Sequence, residues 1–121
     1  MVAQEIVPPS SVLLLVGRED FTPPTTFGGR ACVATVDCVA IAVASVNVSP
    51  TSVTLAPTMT RTDLLRLVDV EIESEGLLSL RDVYSREYDV MGVPPGLCRV
   101  VVWGDSESEP TELALHVTSP H

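Results

Sequence analysis

The chain has 121 residues, of which 45% are hydrophobic and only 4% aromatic, and its net charge is −9. This length allows one domain with its own core, so we expect residues 1–121 to form a single domain. The acidic balance argues against direct binding to nucleic acid or anionic lipid and favours a basic protein or a cation as partner.

The first predicted strand is the apolar run from Ser11 to Val16. Residues 1–10 are expected to be a lead-in, because two adjacent prolines delay strand formation. Residues 17–30 are rich in Pro, Gly and Thr, which predicts a long loop. Both phenylalanines of the chain, Phe21 and Phe27, lie in this loop. We expect them to pin the loop to the core, and the alternative is that they anchor a partner.

The most apolar segment runs from Ala31 to Val48 and is too long for one ordinary strand. We expect it to break near Asp37 into two strands, or to form one strand with a bulge. Beyond Asp37, large residues alternate with alanines, so the large side would fill a core and the small side would lie under another layer. The large residues are Val39, Ile41 and Val43, and the small ones are Ala40, Ala42 and Ala44. A buried helix is the competing interpretation, but the β-branched residues favour strands.

A turn at residues 49–52 and a short strand from Val53 to Ala56 follow. Thr60 has Asp63 three residues further on, which is the spacing of a helix cap. This spacing predicts a brief helical turn that ends by Leu67.

The clearest amphipathic strand is Val68 to Glu73, where apolar and acidic residues alternate strictly. The apolar residues Val68, Val70 and Ile72 are predicted to face inward, and Asp69, Glu71 and Glu73 outward. The chain then turns at residues 75–76 and returns through Leu77 to Val83. Like charges along one strand need compensation, and Arg81 and Arg86 are the nearest candidates in the sequence.

The stretch from Glu87 to Trp103 predicts a hairpin whose turn is Pro94-Pro95-Gly96. After the turn, apolar residues occur on both faces, which is typical of a central strand. One face carries Leu97, Arg99, Val101 and Trp103, and the other carries Cys98, Val100 and Val102. An acidic loop at residues 104–110 leads into a last alternating strand from Thr111 to Thr118.

These elements amount to about seven to nine strands with turn signals between them and at most one short helical turn. We therefore predict an all-β fold, an antiparallel β-sandwich. The run from Val12 to Val16 is too short for the apolar part of a signal peptide, and no positive charge precedes it. No run approaches the roughly 20 apolar residues of a membrane helix, so we expect a cytoplasmic protein without membrane contact.

The sequence contains no complete motif for catalysis, for a metal site or for a cofactor. Cys32, Cys38 and Cys98 form neither a CxxC pair nor a zinc-type ligand set, so we expect reduced thiols in the core. His116 and His121 lie in no nucleophile motif. We therefore predict that the protein is not an enzyme.

Two rows of carboxylates are candidate partner-binding sites. The acidic ridge comprises Asp69, Glu71 and Glu73, and the acidic loop patch comprises Asp105, Glu107 and Glu109. The ridge is either a docking surface for a basic partner or a solvated face that discourages edge aggregation. The loop patch has the alternation seen in calcium sites but lacks the central Gly and distal Glu of an EF-hand loop.

The order of elements resembles the competence protein J family, small bacterial inhibitors of a DNA-entry nuclease. The shared features are an early strand, a loop with Thr22-Pro23-Pro24, an apolar strand pair, an alternating strand, and a Pro-x-Gly turn before a strand that ends in Trp. That last signature spans Pro94 to Trp103, with Leu97-Cys98 where the family usually has an aromatic residue. The resemblance implies a non-catalytic β-sandwich that binds and silences a basic protein, and it assigns no functional residue.

Two functions follow as the main hypotheses, and a third, an enzyme or metal-binding protein that uses the loop carboxylates, is the least favoured. The first is a non-enzymatic protein-binding module that acts as an inhibitor or immunity-type partner of a basic enzyme such as a nuclease. The second is a self-associating structural β-sandwich, a homo-oligomer without small-molecule chemistry that pairs through an edge strand or the alanine face.

Overall fold

The computed structural model describes residues 4–8, 11–43, 50–56, 63–107 and 110–118, which form ten β-strands and no α-helix. The strands are β1 (Gln4–Ile6), β2 (Val12–Val16), β3 (Cys32–Ala34), β4 (Cys38–Ala42), β5 (Thr51–Ala56), β6 (Leu65–Ser74), β7 (Leu77–Asp82), β8 (Glu87–Gly92), β9 (Gly96–Gly104) and β10 (Glu112–Thr118). Nowhere in the described part of the chain is there a helix long and apolar enough to cross a membrane.

The strands form two five-stranded sheets. The first sheet has the order β1-β5-β10-β9-β6, and the second has the order β3-β4-β2-β7-β8. Neighbouring strands are antiparallel except β5 and β10, which run parallel. The two sheets pack together as a β-sandwich, which confirms the predicted fold class.

One apolar core lies between the sheets and is built from alternate residues of the facing strands. In β9 the side chains of Cys98, Val100 and Val102 have no exposed surface, whereas Leu97 and Arg99 face outward. β9 lies between β10 and β6, so the prediction of an interior strand with this alternation is confirmed.

The predicted hairpin around Pro94-Pro95-Gly96 is wrong. β8 pairs with β7 in the second sheet, and β9 pairs with β6 and β10 in the first, so this turn carries the chain between sheets. The turn at Gly76 also connects different sheets, from β6 to β7. Gly76 has a φ of 124° and Gly96 a φ of 118°, which lets the backbone change direction sharply. Such a turn reverses the chain without deciding which strand becomes its neighbour.

The helical turn predicted to end at Leu67 is also wrong for the described residues, while Thr60 lies outside them. β6 begins at Leu65, and its first residues pair with the end of β9. A single helical turn has a costly nucleus, so pairing along an existing strand is more favourable. A register shift between Arg66 and Val68 marks an irregularity in this pairing.

The amino-terminal segment contains a strand where a lead-in was predicted. Gln4–Ile6 pairs antiparallel with β5, and Ile6 is buried in the core. The total of ten described strands therefore exceeds the predicted seven to nine. Three residues are too few to show a period in the sequence, which is why this strand was missed. The predicted break near Asp37 is confirmed, and the end of that segment, residues 44–48, lies outside the described residues.

The loop at residues 17–30 covers the outer face of β2 and β4. Phe21 and Phe27 pack against a second apolar cluster made of Leu14, Val16, Cys38 and Ala40. The prediction that both phenylalanines pin the loop is therefore confirmed. Ala40 is only 4% exposed beneath this loop, so it is not available for pairing with another molecule. Ala44, the last residue of the predicted alanine face, lies outside the described residues.

The second sheet approaches the end of β6 very closely at Gly17. A Cβ atom on Gly17 would lie 2.0 Å from the backbone oxygen of Glu73. The N–H of Glu75 donates to the carbonyl of Gly17 at 2.9 Å, and the N–H of Glu73 donates to the carbonyl of Val36 at 2.6 Å. Backbone hydrogen bonds thus join the end of β6 to the second sheet.

We expect Gly17→Ala to lower the free energy of unfolding by at least about 2 kcal/mol, because backbone atoms must move to admit the methyl group. Urea unfolding measures the change. Gly92→Ala is the matched control, since no atom lies within 4 Å of its added Cβ. We expect that variant to stay within about 0.5 kcal/mol of the parent. An equally small effect at Gly17 would contradict the close approach.

Candidate partner-binding site

The acidic ridge lies on β6, which forms one edge of the first sheet. Asp69, Glu71 and Glu73 are exposed on its outer face. Ile72 is fully buried on the opposite face, and Val70 packs against the core. The sequence prediction therefore placed all three carboxylates on the correct face.

Asp69 is held by two arginines. Arg99 on β9 donates from Nε to Oδ1 at 2.8 Å and from Nη2 to Oδ2 at 2.5 Å, a two-pronged contact. The Nη1 of Arg66 lies 3.8 Å from Oδ2. The hydrogen bond from Arg99 lowers the pKa of Asp69 below its usual value, and the charges of Arg99 and Arg66 act in the same direction. The charge of Asp69 is therefore largely compensated.

A third arginine, Arg18, lies at the other end of the ridge. Its guanidinium is 3.8 Å from a carboxylate oxygen of Glu73, 3.5 Å from one of Glu75, and 3.1 Å from one of Asp20. The hydrogen bond and charge of Asp20 are the main causes that raise the pKa of Arg18. Glu71 forms no ion pair within the described part of the chain. Glu71 lies opposite Arg99 in the register of β6 and β9, and the two charges attract each other without forming an ion pair. Glu71 is therefore the ridge carboxylate that is not held in a direct contact with an arginine.

Arg81 and Arg86, the predicted partners of the ridge, interact elsewhere. Arg81 donates from Nε to the hydroxyl of Ser79 at 2.9 Å and forms an ion pair with Glu19 at 3.0 Å. Arg86 lies over the ring of Tyr88, 5.3 Å from its centroid. That prediction was wrong because β7 and β8 belong to the second sheet. The true partner, Arg99, was placed on one face with Leu97, Val101 and Trp103, but its register against β6 could not be known from the sequence.

A groove of about 290 Å³ lies on the outer face of β2, β7 and β8. Its walls carry both charges, from Arg18, Arg81, Glu19, Glu75 and Glu87, and exposed apolar surface from Leu77 and Val90. The hydroxyl of Ser79 donates to Glu87 at 2.6 Å within the groove. Because Arg18 lines the groove and also contacts Glu73 of the ridge, the groove and the ridge form one continuous charged surface.

The acidic loop patch is partly structural. The Oδ1 of Asp105 accepts hydrogen bonds from the N–H groups of Thr111 and Glu112 at 2.8 and 3.1 Å, and Oδ2 accepts one from the Thr111 hydroxyl at 2.7 Å. Burial raises the pKa of Asp105, but these bonds outweigh it and lower the pKa overall. Glu107 is exposed, and Glu109 lies outside the described residues. The described residues contain no group of acidic, His or Cys side chains placed to hold a metal.

The loop patch and the ridge are separate surfaces. Gly104, which precedes Asp105, is paired with Leu65 at the start of β6. Glu71 lies six residues further along that strand, roughly 20 Å away at the usual rise per residue. A partner that contacts both patches must therefore span most of one sheet edge.

The thiols lie in apolar surroundings, as predicted. Cys32, Cys38 and Cys98 are all buried. Burial raises the pKa of Cys32 to about 12, and burial together with the charge of Asp37 does the same for Cys38. Thiols with such pKa values are protonated at neutral pH and are poor nucleophiles.

Fold and surface together define a two-sheet β-sandwich whose longest strand forms an acidic edge. No protein-family model matches this chain, and no curated protein matches its sequence. It is similar in structure to ComJ, inhibitor of the DNA degrading activity of NucA, from Bacillus subtilis, with a TM-score of 0.72 and 14% identity. The match covers 98% of this chain and 96% of ComJ. The resemblance to the competence protein J family is thus confirmed at the level of the fold.

The ion pair of Asp69 gives a titration test. We expect the carboxyl of Asp69, followed by carbon-detected NMR, to titrate below its ordinary value and to move upward in Arg99→Gln. Arg66→Gln is the control, and its effect should be smaller because Arg66 is more distant. The folded-state pKa is lowered, so this pair stabilises the protein above the ordinary pKa of Asp, and the stabilisation is lost as the pH falls through the lowered value. An unchanged Asp69 titration in Arg99→Gln would contradict the pairing.

Proposed function

We propose that this chain is a non-enzymatic protein-binding module that inhibits a basic enzyme, most specifically a nuclease. The observation that carries this proposal is the acidic ridge, exposed along an edge strand of a protein with a net charge of −9. The fold shared with ComJ, an inhibitor of the DNA degrading activity of NucA, supports the same function.

The proposed mechanism is electrostatic occlusion. A nuclease binds the phosphate backbone through Lys and Arg side chains, so its DNA-binding surface is basic. An acidic protein surface attracts that region over long range and accelerates association. Once docked, a folded domain of this size would exclude DNA from the surface that it covers.

Individual ridge residues have different roles in this proposal. Glu71 offers a carboxylate to the partner without first breaking an ion pair in the described structure. Asp69 and Glu73 already contact Arg99 and Arg18, so they contribute most when a partner's basic group joins these existing pairs. In the loop patch, Asp105 and Glu107 are both exposed, but both carboxylate oxygens of Asp105 already accept hydrogen bonds from Thr111, so Glu107 is the one offered to a partner.

The test compares two substitutions that change the net charge equally. A basic nuclease recovered from the source organism by low-salt affinity capture is purified, and its DNA cleavage is measured with added parent protein, Glu71→Lys or Glu5→Lys. Glu5 is exposed on β1, at the opposite edge of the same sheet. We expect Glu71→Lys to weaken inhibition about threefold to tenfold at low salt, and Glu5→Lys to change it much less.

High salt should reduce the difference between the two variants, because exposed charges are screened. Equal loss in both variants would indicate an effect of net charge alone and would exclude the ridge as the contact. Glu107→Lys, measured in parallel, tests the loop patch. A capture that yields no basic enzyme whose activity the parent protein inhibits would overturn the proposed function.

A further inference from the structure

Sheet edges differ strongly in how much unpaired backbone they present. β1 and β3, which end one side of each sheet, have only three residues each. β8 has six residues and β6 has ten. Long unprotected edges promote pairing with other chains, so natural proteins protect them or use them for binding.

The β8 edge is protected by side chains. The amide of Gln4 donates to the carbonyl of Tyr88 at 3.0 Å. The N–H of Val90 donates to the carboxylate of Asp89 at 2.8 Å. Side chains thus occupy one acceptor and one donor near the centre of this strand.

Within the described residues, backbone hydrogen bonds reach the outer side of β6 near its carboxyl end. The N–H of Glu73 donates to Val36 of the other sheet and therefore faces away from β9. Backbone groups alternate in direction along an antiparallel strand, so the N–H and C=O groups of Asp69 and Glu71 also face away from β9. No backbone partner for Asp69 or Glu71 is found among the described residues.

We infer that this part of β6 accepts an extended basic segment of the partner as an additional strand of the first sheet. The added strand lies between the irregularity after Arg66 and the cover from Val36, and its backbone pairs with Asp69 and Glu71. Its outward Lys or Arg side chains lie beside the ridge carboxylates. This inference rests on the proposed function and names the partner element that the same site binds.

Charge decides which strand can occupy the edge. A second copy of this chain pairing through β6 would place carboxylate rows next to each other, which destabilises a cross-strand pair. A basic strand gains attraction from Glu71 in addition to the backbone hydrogen bonds. The acidic ridge therefore selects against self-pairing and in favour of a basic segment at the same edge.

The test uses short blocked peptides of alternating lysine and valine with isotope-labelled protein at low salt. At about 5 mM peptide, a complex with a Kd of about 1 mM is mostly formed, and we expect amide exchange at Asp69 and Glu71 to slow about sixfold. Val70 is the internal control, because its N–H faces β9. In Glu71→Lys the slowing should be lost.

Two N-methylated peptides separate strand addition from simple charge attraction. One is methylated on the lysine amides and the other on the valine amides, so that only one of them keeps a free pairing edge. We expect one peptide to retain the slowing and the other to lose it. Equal behaviour of both, or no slowing with the unmodified peptide, would overturn strand addition. Salt-sensitive inhibition of the enzyme would then still stand, so this failure is distinguishable from failure of the proposed function.

Discussion

At Gly17 the backbone of the second sheet reaches the edge strand of the first, and the candidate surface depends on this contact. Because glycine has no side chain, the backbone of Gly17 comes close enough for its carbonyl to accept a hydrogen bond from the N–H of Glu75. The carbonyl of Val36, in the neighbouring turn, accepts a hydrogen bond from the N–H of Glu73. Because Gly17 is fixed there, Arg18 is held against the end of the ridge. The close contact at Gly17 thus joins the two sheets at this edge and covers the carboxyl end of β6. It also places Arg18 between the ridge and the groove.

The distribution of charge follows from this geometry. Sixteen acids against seven bases give a strongly acidic protein, but arginines are concentrated where carboxylates are most crowded. Arg99 and Arg18 reduce repulsion along the ridge, which allows a row of acids on one strand without large cost. Glu71, between these pairs, keeps its charge exposed. The same row that would repel a second copy of the edge thus remains attractive to a basic surface.

The sequence predicted which residues of a single strand face inward and which face outward, but it did not predict which strands pair with each other. The pattern in Val68 to Glu73 correctly assigned inward and outward faces, and Phe21 and Phe27 were correctly expected to pin their loop. The turns at Gly76 and Gly96 were read as local reversals, although each carries the chain to the other sheet. Register between distant strands arises from packing of the whole core, which is why the contact of Arg99 with Asp69 had no local signal.

Hydrogen exchange of the complex between this protein and its basic partner tests the central claim most directly, because it maps the contact without any substitution. The account predicts slower exchange for peptides that cover residues 68–73 and 17–20, with residues 87–92 on the protected β8 edge unchanged. Protection confined to residues 87–92 or 105–107, with 68–73 exchanging as in the free protein, would contradict the assignment of the β6 edge as the partner-binding site.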